Sequence, residues 1–230
     1  MKKINFSLRM PALGAFALLF TIAACDRPKN ASEQKKTGPS IVFLGDSLTA
    51  GLGLPDDKTY PALVEKKLEG EGLKYRVING GRSGDTTAGG LARLPWYLRK
   101  EIEMRVLVIE LGNNDAMRGQ SVSSIEKNLT EIIRKTRAYD PSIKILLCEL
   151  RTFPNLGREY GTTFAAVFPR VAKKEKVPLL PFILDGVGGH PDLNQADGIH
   201  PNESGSLIVT ENVYRAIRPH LPALPALPAQ

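Results

Sequence analysis

The amino-acid sequence predicts an α/β fold: a five-stranded parallel sheet covered by helices on both faces, in one domain over residues 41–219. Three observations predict it. Short apolar runs rich in Val, Ile and Leu recur at 41–44, 76–78, 106–111, 143–150 and 177–182. Segments with helical spacing separate most of them. Turn-forming and reactive residues crowd the loops that follow the runs. Runs that are apolar throughout suit strands buried on both faces, and strand–helix alternation makes the helices crossovers between parallel strands.

The elements follow in chain order. Lys2 and Lys3 open a positive region, and an apolar run from Met10 ends in small residues at Ala24. That run is shorter than the ~20 apolar residues of a membrane span and fits an export signal over residues 1–24. Residues 26–40 are polar, with Pro and Gly and no periodicity, and read as a flexible tether of roughly 20 Å. The first helix is expected at 60–68, with Pro61 in its opening turn. The second is expected at 121–139, with Ile125, Leu129, Ile132 and Ile133 on one face. Two more are expected at 160–174 and 203–217. From residue 220 the chain repeats Leu-Pro-Ala to Gln230, a spacing of Pro that excludes helix and central strand. Cys148 lies inside an apolar run and reads as a buried small hydrophobe. With Cys25 the only other cysteine, no disulfide is expected.

The formal charge of +7 is partly the leader's: removing Lys2, Lys3 and Arg9 from the 31 basic residues leaves 28 against 24 acidic ones, or +4. The remaining Lys and Arg are scattered among Asp and Glu without aromatic interleaving, so nucleic acid is not an expected partner. No G-x-S-x-G is present, which excludes the α/β-hydrolase elbow. Gly51 and Gly53 lack the following Lys-Ser/Thr of a phosphate loop. A zinc site would have to recruit His190 or His220, which sit in a Gly-rich loop and at the start of the Pro-rich tail. No metal or cofactor is expected.

In open parallel sheets, sites form beyond the carboxyl ends of the strands, where the strand order switches. Strand one runs into Gly45-Asp46-Ser47-Leu48, and strand two into Asn79-Gly80-Gly81-Arg82-Ser83-Gly84-Asp85-Thr86. Strand three runs into Gly112-Asn113-Asn114-Asp115, and after strand five comes Asp197-Gly198-Ile199-His200-Pro201. This set has the logic of acyl transfer. A serine hydroxyl needs a base, His is the best base near neutral pH, and a carboxylate fixes the imidazole tautomer. Ser47, His200 and Asp197 are the candidate catalytic residues. The backbone N–H groups of Ser47 and Gly84 and the Asn114 side-chain amide are candidate oxyanion donors. Asp46 and Asp115 read as loop organisers. Arg82 reads either as a surface residue or as a rim contact.

The four blocks resemble those of the GDSL, or SGNH, hydrolase family, whose namesake residues match Ser47, Gly84, Asn114 and His200. Within the family the chain is similar to the bacterial arylesterase, acyl-thioesterase and lysophospholipase group, with support from the stretches at 83–95, 178–182 and 193–201. The resemblance implies a three-layer, flavodoxin-like sheet, no metal, and hydrolysis of small acyl or aryl esters, thioesters or lysolipids. It also implies that the loop after strand four borders the acyl pocket, which makes Phe153, Pro154 and Leu156 candidate substrate contacts; the alternative is that Phe153 and Leu156 pack the loop against the helix at 160–174. Asn113 stands where close relatives often have Gly and is expected to alter the pocket wall. The end of the leader, Ile22-Ala23-Ala24-Cys25, resembles a bacterial lipobox. That implies a lipidated Cys25 and a monomer tethered to a membrane facing the periplasm, with Asp26 favouring the inner membrane. An ordinary cleaved signal is the alternative. Alternatives for the domain are a carbohydrate-acetyl esterase and an inactive binding lipoprotein.

Overall fold

The computed structural model of the chain describes residues 38–152 and 156–223. The expected leader, Cys25 with most of its tether, Phe153, Pro154 and the end of the Leu-Pro-Ala tail lie outside the described residues. Five parallel strands form one sheet in the order β2-β1-β3-β4-β5. They are β1 (Ser40–Gly45), β2 (Arg76–Gly81), β3 (Met104–Glu110), β4 (Lys144–Cys148) and β5 (Leu179–Leu180). The chain moves outward from β1 to β2 and then crosses back to lay β3 on the other side of β1. The switch in direction therefore falls between the carboxyl ends of β1 and β3, where such sheets hold their sites.

Alternation along each strand sorts the core into two layers. Val42, Leu44, Leu107, Ile109, Ile145 and Leu147 face one side. There they meet Ile125, Leu129, Ile132 and Ile133 of α5 (Val122–Tyr139), and Phe164 and Phe168 of α6 (Arg158–Ala165) and α7 (Val167–Glu175). Ile41, Phe43, Val106, Val108, Leu146 and Cys148 face the other side. They meet Val64 and Leu68 of α2 (Tyr60–Gly70), and Val209, Val213 and Ile217 of α8 (Glu203–Ile217). Full burial of each such aliphatic side chain stabilises the fold by about 1.5–3 kcal/mol relative to exposure. The result is the three-layer sandwich that the alternation of runs predicts.

Differences from the sequence reading have local causes. The single helix expected at 160–174 is two helices, broken at Ala166. Pro169 has no N–H to give the carbonyl of Ala165, and its ring would crowd that carbonyl in a continuous helix. It is tolerated only in the first turn of a new one. The fifth strand is trimmed to Leu179–Leu180 because Pro178 and Pro181 flank it and neither can donate to a ladder. Three helices fall where the sequence reads as loop: α1 (Ser47–Ala50), α3 (Thr87–Arg93) and α4 (Asn113–Met117). The glycines of α3 hide it from propensity. They are there for packing, since a Cβ on Gly90 would come within 2.2 Å of Leu111 Cδ1. Thr86 caps α3 by accepting from the Gly89 N–H at 3.1 Å.

Candidate active site

Ser47 is the first residue of α1, directly after the β1 carboxyl end. Asp46 caps that helix, its Oδ1 accepting from the Leu48 N–H at 3.0 Å. As the opening residue of a helix, Ser47 has a backbone N–H without an intrahelical acceptor. Its Oγ lies 2.8 Å from His200 Nε2. His200 Nδ1 lies 2.6 Å from Asp197 Oδ2.

One short turn holds Asp197 and His200. Asp197 Oδ1 accepts from the Ile199 N–H at 2.9 Å and the His200 N–H at 3.0 Å. Gly198 takes φ +70°, which reverses the chain between them. The turn is closed beneath by an Asn194–Pro201 bridge and a Gln195 N–H to His200 carbonyl bond of 2.8 Å. Donation from the His200 backbone, then from Ile199, then from the imidazole holds the Asp197 carboxyl down at about 2. Ionised, it can only accept, so His200 Nδ1 carries the proton and Nε2 is left to accept from the Ser47 hydroxyl.

The expected oxyanion donors converge on the same place. Gly84 occupies the third position of a turn closed by the Asp85 N–H to Arg82 carbonyl bond at 3.0 Å. Its φ of +76° is one that a side chain rarely adopts. Asn114, in α4, gives one amide hydrogen to Asp46 Oδ2 at 3.0 Å and keeps a second. Asp46 therefore ties the Ser47 helix to the Asn114 side chain. Burial raises its carboxyl to about 6 against the lowering effect of the Leu48 N–H. Asp115 also organises loops, accepting from the Thr87 N–H at 2.8 Å and the Thr87 hydroxyl at 2.6 Å.

Ser47, Gly84, Asn114 and His200 line one cleft of about 610 Å³, which also touches Leu48, Leu52, Met117, Phe182, Leu184 and Ile199. Asn113, Arg151 and Thr152 lie on it too. The volume falls in the range that takes a small organic substrate. Leu156 takes the packing alternative: it lies half-buried against the core layer containing Phe164 and Phe168, and does not line the cleft. An apolar side chain one residue before the α6 cap finds that layer beneath it. Phe182 and Leu184, past the end of β5, supply the apolar wall instead. No three His, Cys, Asp or Glu side chains among the described residues group to hold a metal ion.

Two residues escaped the sequence reading. Glu110 ends β3, is 1 % exposed, and accepts from the Thr49 hydroxyl at 2.9 Å. Burial, followed by the Asp46 charge, pushes its carboxyl well above the usual range. A lone acid closing an apolar strand was the available signal. Gln195 donates to the carbonyls of Leu52 at 2.6 Å and Pro201 at 3.0 Å, and so ties the His200 turn to the segment after α1. Nothing in its residue type marks it.

With this geometry in view, the comparisons with known proteins are specific. The family model described as GDSL-like Lipase/Acylhydrolase family matches residues 43–208. Esterase TesA of Pseudomonas aeruginosa is 42% identical over 188 residues, covering 82% of this chain and 92% of that protein. The thioesterase 1/protease 1/lysophospholipase L1 of Escherichia coli K12 is 35% identical over 214 residues, covering 93% of this chain and 94% of that protein. The crystal structure of the psychrotrophic esterase EstA from Pseudoalteromonas sp., inhibited by monoethylphosphonate, is 31% identical with a TM-score of 0.74, covering 79% of this chain and 97% of that one.

Proposed function

This chain belongs to the GDSL-like lipase/acylhydrolase family and is a carboxylic ester hydrolase, and from that premise we propose that Ser47 is its nucleophile, His200 its general acid–base and Asp197 the group that orients the imidazole. The observation that carries the reading is the continuous chain from Asp197 through His200 to Ser47, at 2.6 and 2.8 Å.

Ser47 Oγ attacks the acyl carbon while its proton passes to His200 Nε2. The carbonyl π bond opens, and the negative oxygen takes hydrogen bonds from the Ser47 and Gly84 N–H groups and the free hydrogen of the Asn114 amide. The bond from the acyl carbon to the leaving oxygen or sulfur then breaks, and the imidazolium returns its proton to that atom. Water repeats the sequence on the acyl-enzyme, with His200 again taking and returning a proton.

The apolar wall of Phe182, Leu184 and Leu52 supports acyl or aryl esters over acetylated carbohydrate, which would need polar partners there. Thioesters and lysophospholipids, named for the Escherichia coli relative, extend the same substrate class. Ser47→Ala tests the mechanism: labelling by an organophosphonate disappears and hydrolysis of p-nitrophenyl butyrate falls by at least ~10³-fold. Equal labelling of variant and parent removes Ser47 from the role. A chain-length series of esters and thioesters tests the substrate, with each methylene gaining up to about 0.8 kcal/mol until the cleft is full.

The setting we propose is a bacterial membrane surface facing the periplasm, the inner membrane in preference to the outer, with a monomer tethered through lipidated Cys25. The support is the leader's charge, its length and the small residues before Cys25. Stable anchoring takes more than one acyl chain. If Cys25→Ser takes up labelled fatty acid as the parent does, the anchor lies elsewhere.

A further inference from the structure

Arg93, the last residue of α3, carries a guanidinium removed from water, its side chain 4% exposed. All three of its nitrogens have partners. Nε donates to Asp85 Oδ2 at 2.5 Å. Nη1 donates to the Gly80 carbonyl at 2.5 Å and to the Tyr97 hydroxyl at 3.0 Å. Nη2 donates to the Gly45 carbonyl at 2.8 Å. Gly45 ends β1, two residues before Ser47. Gly80 is the penultimate residue of β2. Asp85 directly follows Gly84.

A buried ion pair kept for stability alone would need only Asp85, and such pairs are often replaceable by apolar groups. This guanidinium also holds the carbonyls that close two neighbouring strands, so it fixes how far the Ser47 turn stands from the Gly84 turn. The surroundings are built around it. The Gly45 carbonyl also receives the Arg82 N–H at 3.1 Å, which hangs the Gly84 turn on β1. A Cβ on Gly89 would lie 1.8 Å from Asp85 Oδ1, so that glycine reserves the space the carboxylate occupies. Oxyanion stabilisation demands donors held to about half an ångström.

We propose that Arg93 is the positioning residue of the oxyanion hole, setting the separation of the Ser47 and Gly84 N–H donors through its bonds to Gly45, Gly80 and Asp85. The proposal rests on the assignment of those two N–H groups to the oxyanion.

Arg93→Met alone strands a buried Asp85 charge and loses stability, so the deciding variant is Arg93→Met/Asp85→Asn, which removes the charge as well. Three quantities are measured with p-nitrophenyl butyrate and a trifluoromethyl ketone, whose adduct carries an oxyanion. In the double variant Tm recovers toward the parent and KM stays within about twofold. Its kcat falls ~10- to 100-fold, and the ketone Ki rises by the same factor. Arg93→Lys keeps the charge but cannot reach three acceptors, and it shows the same split between kcat and KM; it decides the matter if the double variant does not fold. A double variant, or Arg93→Lys, with parental kcat and ketone Ki overturns the proposal. So does a loss of kcat that disappears when Tm is restored. Ser47→Ala runs in parallel. If it stays active, the assignment of the nucleophile has failed; if it is inactive beside a fully active Arg93 variant, only the proposal for Arg93 has.

Discussion

On the proposed mechanism, the two amide hydrogens of Asn114 divide between structure and chemistry. One is held by Asp46 at 3.0 Å, which aims the other. Asn114→Ala is expected to lower kcat by about 10²–10³ with KM little changed, and steady-state kinetics on a folded variant checks it. Asp197, held down at about 2 by backbone donation from His200, stays ionised through the acid range where esterase assays run. On acidification Asp46, its carboxyl raised to about 6 by burial, takes a proton well before Asp197 does. The sign for stability is set by the same depression. Asp197 stabilises the fold above its ordinary 3.8, and that contribution is lost as pH falls toward 2. Glu110 works in the opposite sense. Its carboxyl is raised by burial above 4.5, so the folded state binds a proton that the unfolded state releases, and stability declines as pH rises past 4.5. Glu110→Gln keeps an acceptor for the Thr49 hydroxyl and cannot ionise. Its Tm relative to the parent should climb with pH above 4.5 in a calorimetric series; a constant difference would mean Glu110 is charged in the fold.

Helix propensity treats all glycines alike, and the helices here do not. Gly70 ends α2 with nothing within 4 Å of a built Cβ, whereas a Cβ on Gly90 in α3 meets Leu111 at 2.2 Å. Gly70→Ala should stabilise by about 0.4–1 kcal/mol through the unfolded chain. Gly90→Ala should destabilise by about 1–3 kcal/mol through overpacking. Urea melts of the two variants check the opposite signs. The same contrast explains what was legible in the sequence. The sequence predicts helix α8 to the residue from its apolar spacing; in the fold Asn202 caps it, accepting from the Gly205 N–H at 3.0 Å. Helix α3 was missed because its glycines answer to a neighbour, Leu111, that no local window contains. The residues of the acid–base chain were legible because their chemistry is carried by residue type. Arg93 stands inside a stretch that supports the family resemblance, but its residue type alone does not say that the fold buries it. Leu156 was left with two ways to be buried, in the cleft or against the helix at 160–174, and only the packing of α6 and α7 chooses between them.

At the scale of the molecule, the strand order puts the four reactive loops on one end of one sheet, and the two helical layers make that end rigid. It also leaves two strands, β2 and β5, at the margins of the sheet. Strand β5 is two residues long and is bracketed by Pro178 and Pro181. On β2, the Val77 N–H is taken by Glu65 Oε1 at 2.9 Å, and the Gly81 N–H by Asn79 Oδ1 at 2.9 Å. Neither margin thus presents a row of free donors. A parallel sheet of Val, Ile and Leu forms slowly and is exposed to misassembly while it does; a strand from a second molecule that met this one would find few sites to pair with. Glu65→Ala with Asn79→Val should restore a template on β2. We expect light scattering on warming to begin at a lower temperature than in the parent while the unfolding midpoint at low concentration shifts little. An unchanged onset would mean that the two side chains only decorate the edge. The prolines that spoiled the reading of the fifth strand are, on this view, what keeps many copies of the molecule from becoming one sheet.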